Sequence, residues 1–247
     1  MGRLIYNLHN HTPFSDGAYT IDELCDAHLS VDGVEVDGIG VSDHLFITPS
    51  SRAPSDPSDF ERIFAGEVRS YVEQVKEARE RWADRLDVLI GCEISWLRNR
   101  AFIDAIPAML DGFDYVLFQH VDWAGLTQLA NKARKWPCPI GLAHVDVPTA
   151  MPTTSLDQVV RTLANARIFY EYNARYSPLP EGDDWYNLLP KHRVSVSIGT
   201  DTHDDLACIE SIGEMAAYLS RRGLDDRLFQ PRRKIVVPTP TPVAIAG

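Results

Sequence analysis

Positive charge is scarce in this chain. Lys and Arg number 24 against 35 Asp and Glu, a formal charge of −11 over 247 residues. A protein that grips long nucleic acid by bulk charge needs a basic stripe, so the balance argues against that class. Long apolar runs are missing as well. No segment approaches the ~20 continuous apolar residues of a membrane helix. The opening MGRLIYNLHNH lacks the apolar region of a signal peptide, and Tyr6 stands where a myristoylation signal needs Ser or Thr. Cysteine is sparse, at positions 25, 92, 138 and 208, with no C-x-x-C pair and no zinc-finger spacing. Such cysteines read as reduced, small apolar residues of a cytoplasmic protein. No Gly/Ser linker, low-complexity block or internal repeat divides the chain, so one domain over 1–247 is expected. Its last stretch, 231–247, carries Pro238, Pro240 and Pro242 and is expected to be extended or frayed.

What is present is an ordinary globular composition, 45% hydrophobic and 24% charged. Short apolar runs at 4–8, 38–42, 88–91, 115–118, 140–143, 168–172 and 194–198 alternate with amphipathic stretches. Residues 20–30 open with Thr20 and Glu23 at capping-box spacing. Residues 60–86 carry Glu77, Arg81 and Arg85 on one helical face. Residues 155–166 begin on Ser155, and 205–223 end on Gly223. Strands alternating with helices imply a parallel sheet, and uniformly apolar strands imply that both its faces are buried. The fold class is α/β, and a closed TIM-like barrel is the natural solution for seven or eight such units. The Ser- and Pro-rich stretch 45–59 reads as an active-site loop.

The eight histidines are not scattered. His9 and His11 close the first strand, His44 the second, His120 the fourth and His144 the fifth, while His203 follows the seventh. Glu93 follows the third strand and Asp201 the seventh, and Asp16 lies in the first loop. His28 and His192 fall inside helical patterns and read as structural. The C-terminal ends of barrel strands converge on one face. Six imidazoles and three carboxylates would therefore share a cavity. That donor set is the one zinc, manganese or iron prefers. In H-x-H on a strand both side chains project to one side, so two ligands can reach one ion. Asp43, Asp122, Asp146 and Asp204 flank these positions, either orienting imidazoles or serving as loop residues.

The order H-x-H, Asp, His, Glu, His, His, D-x-H, running from His9 to His203, resembles the polymerase and histidinol phosphatase (PHP) family of metal-dependent phosphoesterases. The resemblance implies a distorted seven-stranded (β/α)7 barrel holding two to three divalent ions (Mn, Zn or Fe). By position, His9, His11, Glu93 and Asp201 would bind the first ion. Glu93, His120 and His144 would bind the second, and Asp16, His44 and His203 the third. Many relatives have His where this chain has Asp16, and a carboxylate favours a harder ion. Histidinol phosphatases often carry Cys-Pro-His-Gly in this loop, where this chain reads HTPFSDG. Two ions can share a hydroxide that attacks phosphorus, with Glu93 bridging them. Asp201 or His203 would relay a proton to the leaving group. Arg175 is the first candidate to bind the phosphate oxygens and Arg98 the second.

Other classes have the same opening. Amidohydrolase-like barrels also begin with H-x-H and end on a catalytic Asp, but have no use for His44 and His203 as a further pair. A non-catalytic PHP module would lose ligands, whereas all nine stand here. The expected partner is a small phosphorylated substrate, with no membrane contact and no long nucleic acid. Histidinol phosphate, a nucleoside monophosphate, a cyclic sugar phosphodiester, an oligonucleotide end and a phosphotyrosyl peptide all suit the ligands. Specificity falls to loops 45–59, 95–100, 121–127 and 173–184, where Trp96, Trp123, Tyr176 and Trp185 could stack on a ring or pack at the rim. Three dications would outweigh the three site carboxylates and make the cavity net positive inside an acidic protein.

Overall fold

A computed structural model describes residues 4–47, 54–173, 175–176 and 184–231. The Pro-rich tail from residue 232, part of the 45–59 loop and most of the 173–184 loop lie outside the described residues. In chain order the main elements are β1 (Tyr6–Asn10), α1 (Ile21–Leu29), β2 (Gly38–Val41), α2 (Pro57–Trp82), β3 (Asp87–Ile90) and β4 (Glu93–Ser95). There follow α3 (Trp96–Asn99), β5 (Val116–Gln119), α4 (Trp123–Lys132), β6 (Ile140–Leu142), α5 (Val147–Ala150) and α6 (Leu156–Ala166). The last are β7 (Phe169–Asn173), α7 (Asp184–His192), β8 (Val196–Gly199) and α8 (Ile212–Arg221).

Every strand pairing is parallel, in the order β3-β2-β1-β8-β7-β6-β5-β4. The strands at the two ends of that order are separated in sequence only by Gly91 and Cys92. The sheet therefore curls, TIM-like, until its outermost strands belong to one chain segment.

The sheet has eight strands where seven were expected, because the third run, 88–91, is followed after Cys92 by a further short strand. Gly91 N–H donates to Val41 O on the β2 side at 2.8 Å, and Leu117 N–H on β5 donates to Cys92 O at 2.8 Å. The chain changes partner between these residues, and Glu93–Ser95 becomes a separate strand. Two buried tyrosines mark the break. A Cβ on Gly91 would overlap the ring of Tyr115. Tyr71 Oη lies 2.9 Å from Val41 O and 2.8 Å from Gly91 O. β1 also begins later than expected and takes in His9, so that side chain is held by the sheet itself.

Strands β1, β2, β6, β7 and β8 are buried throughout, as continuous apolar runs require. On the outside, α2 presents Phe60, Phe64, Val68, Tyr71, Val72 and Val75 at helical spacing. A smaller cluster of Tyr6, Leu8, Leu89, Tyr115, Leu117, Ala143 and Phe169 is separate from that core. Its members come from strands that are not all neighbours, so they fill the inside of the curl. The expected caps form: Thr20 and Glu23 make a reciprocal capping box, Ser155 accepts from Gln158 N–H, and Gly223 sits at φ +70°. Among the described residues no helix is long and apolar enough to cross a membrane.

His28 is structural, as expected. Its Nδ1–H donates to Leu24 O at 2.7 Å, and Nε2 lies 2.8 Å from Asn7 Nδ2. Burial, opposed by the Leu24 bond, pushes its pKa down from 6.5 to about 4. The unfolded chain thus takes a proton in a range where the folded chain does not. Stability from this residue is lost as pH falls from about 6.5 towards 4. His28→Gln, which can still accept from Asn7, is expected to flatten the decline of Tm across that window. An unchanged slope in thermal melts would refute this account.

Candidate metal centre

The sequence-predicted site residues gather at the C-terminal ends of the parallel strands. His9 lies on β1 and His11 just beyond it, His44 follows β2, Glu93 opens β4, and Asp16 lies in the loop before α1. His120 follows β5, His144 follows β6, and Asp201 and His203 follow β8. Three of them have left-handed backbones: His120 at φ 58°, His144 at 34° and Asp201 at 51°. Each such residue costs on the order of 1–3 kcal/mol and persists only where its surroundings impose it.

The donor atoms converge in three overlapping groups that could each hold an ion: His9, His11 and Glu93; His9, His144 and Asp201; and His11, Asp16, His44 and His203. His9 Nε2 and His11 Nε2 are 3.0 Å apart. Both stand 3.2 Å from Asp201 Oδ1 and 3.7 Å from Glu93 Oε2. Asp16 lies 3.4 Å from His203 Nε2, 3.5 Å from His44 Nε2 and 3.6 Å from His11 Nδ1. Ligands about 2.1 Å from a tetrahedral zinc stand about 3.4 Å from one another. The spacings therefore fit bound divalent ions. Glu93 Oε2 agrees: it is buried without a well-formed hydrogen bond, although His44 Nδ1 is 2.9 Å away. His120 is not in any of the converging groups. It lies 3.4 Å from Ser95 Oγ and lines the same cavity as Glu93 and His144.

Hydrogen bonds set two tautomers. His203 Nδ1 faces Asp201 O at 2.9 Å, and a carbonyl can only accept, so Nε2 keeps its lone pair for the group around Asp16. His9 Nδ1 faces Glu171 Oε1 at 2.7 Å. Burial opposes a proton on His9, but Glu171, Asp201 and Glu93 outweigh it and hold its pKa well above 6.5. A cation placed among these carboxylates would take that proton's position. Burial pushes His11 down to about 4 against the pull of Asp201. Burial also opposes ionisation of Glu93, yet the charge on His9 and the neighbouring His144 and His44 imidazoles hold it well below its usual range. Asp201 is likewise depressed, by His9 and His11, against its burial.

A cavity of about 540 Å³ opens beside these donors, lined by His120, His144, Asp201 and His203 and by the apolar Leu97, Val121 and Val145. Arg175 lines a neighbouring cavity of about 420 Å³ with Asp201 and His203, its Nη1 3.4 Å from Asp201 O. Arg98 lines another, of about 210 Å³, with Glu93 and His120. Of the four aromatics considered for stacking, Tyr176 faces the main cavity, its ring 4.7 Å from that of His144. Trp96 and Trp185 are buried in the core and Trp123 packs against it. Asp43 binds no imidazole; it accepts from Thr12 N–H, Thr12 Oγ1 and Ser15 Oγ, holding the loop that carries Asp16. Asp122 and Asp146 sit at the N-caps of α4 and α5. Glu171 was not expected. It is the charged residue in the otherwise uncharged strand FYEYN, and a buried charge calls for a partner.

The structure defines a parallel α/β barrel-like sheet whose strand ends gather imidazoles and carboxylates in groups that could hold metal ions. A family model for the PHP domain matches residues 7–222, and the chain belongs to that family. Among solved structures it is similar to a histidinol phosphate phosphatase from Lactococcus lactis, determined with zinc, L-histidinol and phosphate. The identity is 16%, over 90% of this chain and 94% of that one, with a TM-score of 0.60. It is also similar to a protein assigned as a histidinol phosphatase from Listeria monocytogenes, at 13% identity over 83% and 97% with a TM-score of 0.55. At these identities the likeness speaks for the fold. No curated protein matches the chain.

Proposed function

We propose that this protein hydrolyses a small phosphate ester at a centre of up to three divalent ions (Mn, Zn or Fe). The observation that carries the reading is the convergence of His9, His11, Asp16, His44, Glu93, His144, Asp201 and His203 in overlapping groups beside the 540 Å³ cavity. In this reading His9, His11, Glu93 and Asp201 hold one ion, Glu93 with His120 and His144 a second, and Asp16, His44 and His203 a third. Such ions lower the pKa of bound water towards ~7 and neutralise phosphate oxygens. The chain's own residues do the rest. Glu93 keeps two ion positions in register. Asp201 stands where it can pass a proton to the leaving oxygen, and its carbonyl orients His203. Arg175 reaches in from the adjoining cavity to bind phosphate oxygens. Cys25, Cys92 and Cys208 form no disulfide, which supports a reducing compartment such as the cytoplasm.

Histidinol phosphate is the first ester to test, since the Lactococcus lactis relative was solved with L-histidinol and phosphate. Protein loaded with Mn²⁺ or Zn²⁺ is to be assayed on it beside a nucleoside monophosphate, a cyclic sugar phosphodiester, an oligonucleotide end and a phosphotyrosyl peptide. Comparison of kcat/KM identifies the substrate, and no turnover of any ester with ions bound overturns the reading. Arg175→Ala is expected to lower kcat/KM for the best ester about 10–100-fold, the value of one charge-assisted hydrogen bond. Unchanged kinetics would remove Arg175 from the site.

A further inference from the structure

We infer that Glu171 is a positioning residue that sets the tautomer of His9 and pins the backbone of His144, so that both side chains face one ion position. The inference rests on the metal centre proposed above. Glu171 lies on β7 and is fully buried. Its two oxygens serve two ligand-bearing segments from behind. Oε1 is 2.7 Å from His9 Nδ1, and Oε2 accepts from His144 N–H at 2.6 Å. His9 and His144 belong, with Asp201, to one converging group.

Together the two contacts need two acceptors, which a carboxylate supplies and an amide does not. A carboxylate accepts only, so His9 carries its proton on Nδ1 and presents the Nε2 lone pair to the cluster. The His144 N–H is held in a left-handed residue, φ 34°, which needs an external partner to persist. The fold also makes room for this carboxylate: a Cβ on Gly199 of β8 would overlap Glu171 Oε1. Glutamine is nearly isosteric but cannot satisfy both contacts. With its oxygen on His9, its amide N–H meets the His144 N–H, donor against donor. Flipped, it donates to His9 Nδ1 and forces the proton to Nε2, where the ligand lone pair should be.

The test compares zinc affinity by competition titration in the wild-type chain, Glu171→Gln and Gly199→Ala. Gly199→Ala displaces the carboxylate without removing it and also crowds the Cβ of His9, so it is the less selective of the two variants. Both variants are expected to melt cooperatively and to bind zinc about 10–100-fold more weakly, as outer-shell partners of metal-bound histidines do. Long-range ¹⁵N–¹H NMR is expected to show His9 protonated at Nδ1 in the wild-type chain and not in Glu171→Gln. Wild-type affinity in Glu171→Gln overturns the inference, and so does a His9 of the zinc-loaded wild-type chain protonated at Nε2, where the ion should sit. The NMR arm needs no variant to fold. A wild-type chain that binds no zinc and no manganese while His9 carries its proton on Nδ1 overturns the proposed centre and leaves the orienting role of Glu171 standing.

Discussion

Glu93→Gln is expected to lower phosphoester turnover by about a thousandfold, the scale of losing one preorganised electrostatic contact, and to reduce the number of ions bound per chain. Glu93 occupies the middle of the donor set. Its Oε1 is 2.9 Å from His144 Nε2, and its Oε2 is 2.9 Å from His44 Nδ1 and 3.7 Å from His9 and His11 Nε2. Its carboxylate touches both His44 and His144. The amide keeps size and burial but removes the negative charge and one acceptor. A cation beside four imidazoles then loses its central counter-charge, and one of the two amide rotamers turns N–H groups towards the donors. The side chain is 1% exposed, so water cannot substitute. Ion content by mass spectrometry and kcat measured together decide the matter. Full ion content with full turnover would take Glu93 out of the centre. A loss for Asp16→Ala smaller than that for Glu93→Gln is consistent with its position, because Asp16 is 54% exposed and water can replace it.

The site was more legible in the sequence than the sheet that carries it. His9, His11, Glu93, Asp201 and their partners are rare residue types in apolar surroundings, and their order along the chain maps directly onto strand ends. That mapping needs only the parallel α/β pattern. Strand count needed more. The break at Gly91–Cys92 is a change of hydrogen-bond partner at the end of the 88–91 run, and the three residues EIS that follow are too short and too polar to read as a strand. It depends on Tyr71 and Tyr115, which are distant in sequence. Glu171 was missed for a related reason. Its two partners, His9 and the His144 backbone, come from β1 and from the loop after β6, and nothing local to FYEYN names them. A lone Glu in a buried strand is the signal that points to such a residue, since it must be paired. The left-handed backbones of His120, His144 and Asp201 are invisible in sequence, because His and Asp enter that region more often than other side chains and so need no glycine to announce it. His120 shows the limit of order alone: its place in the series matches the others, yet its ring lies apart from the converging groups.

Chelation of the purified protein is expected to abolish turnover and to lower Tm by roughly 8–16 °C for each tightly held ion removed. The magnitude follows from linkage. An ion present at a thousand times its Kd contributes about 4 kcal/mol, and 1 kcal/mol shifts Tm by about 2–4 °C in a domain of this size. The direction follows from what is left behind. Without ions, Glu93, Asp201 and Glu171 remain as buried carboxylates, with the raised pKa values of His9 and, less strongly, His44 as their answer. Protons on imidazoles are a poorer counter-charge than dications at the same place. The apolar cores above and below are not built from these residues, so the chelated chain should still melt as a folded protein, at lower temperature. Returning Mn²⁺ or Zn²⁺ should restore both Tm and turnover, and the ion that restores turnover better identifies the working metal. An unchanged melting curve after complete removal of metal would mean that the convergent histidines are not an ion site, and the phosphoesterase reading would fall with it.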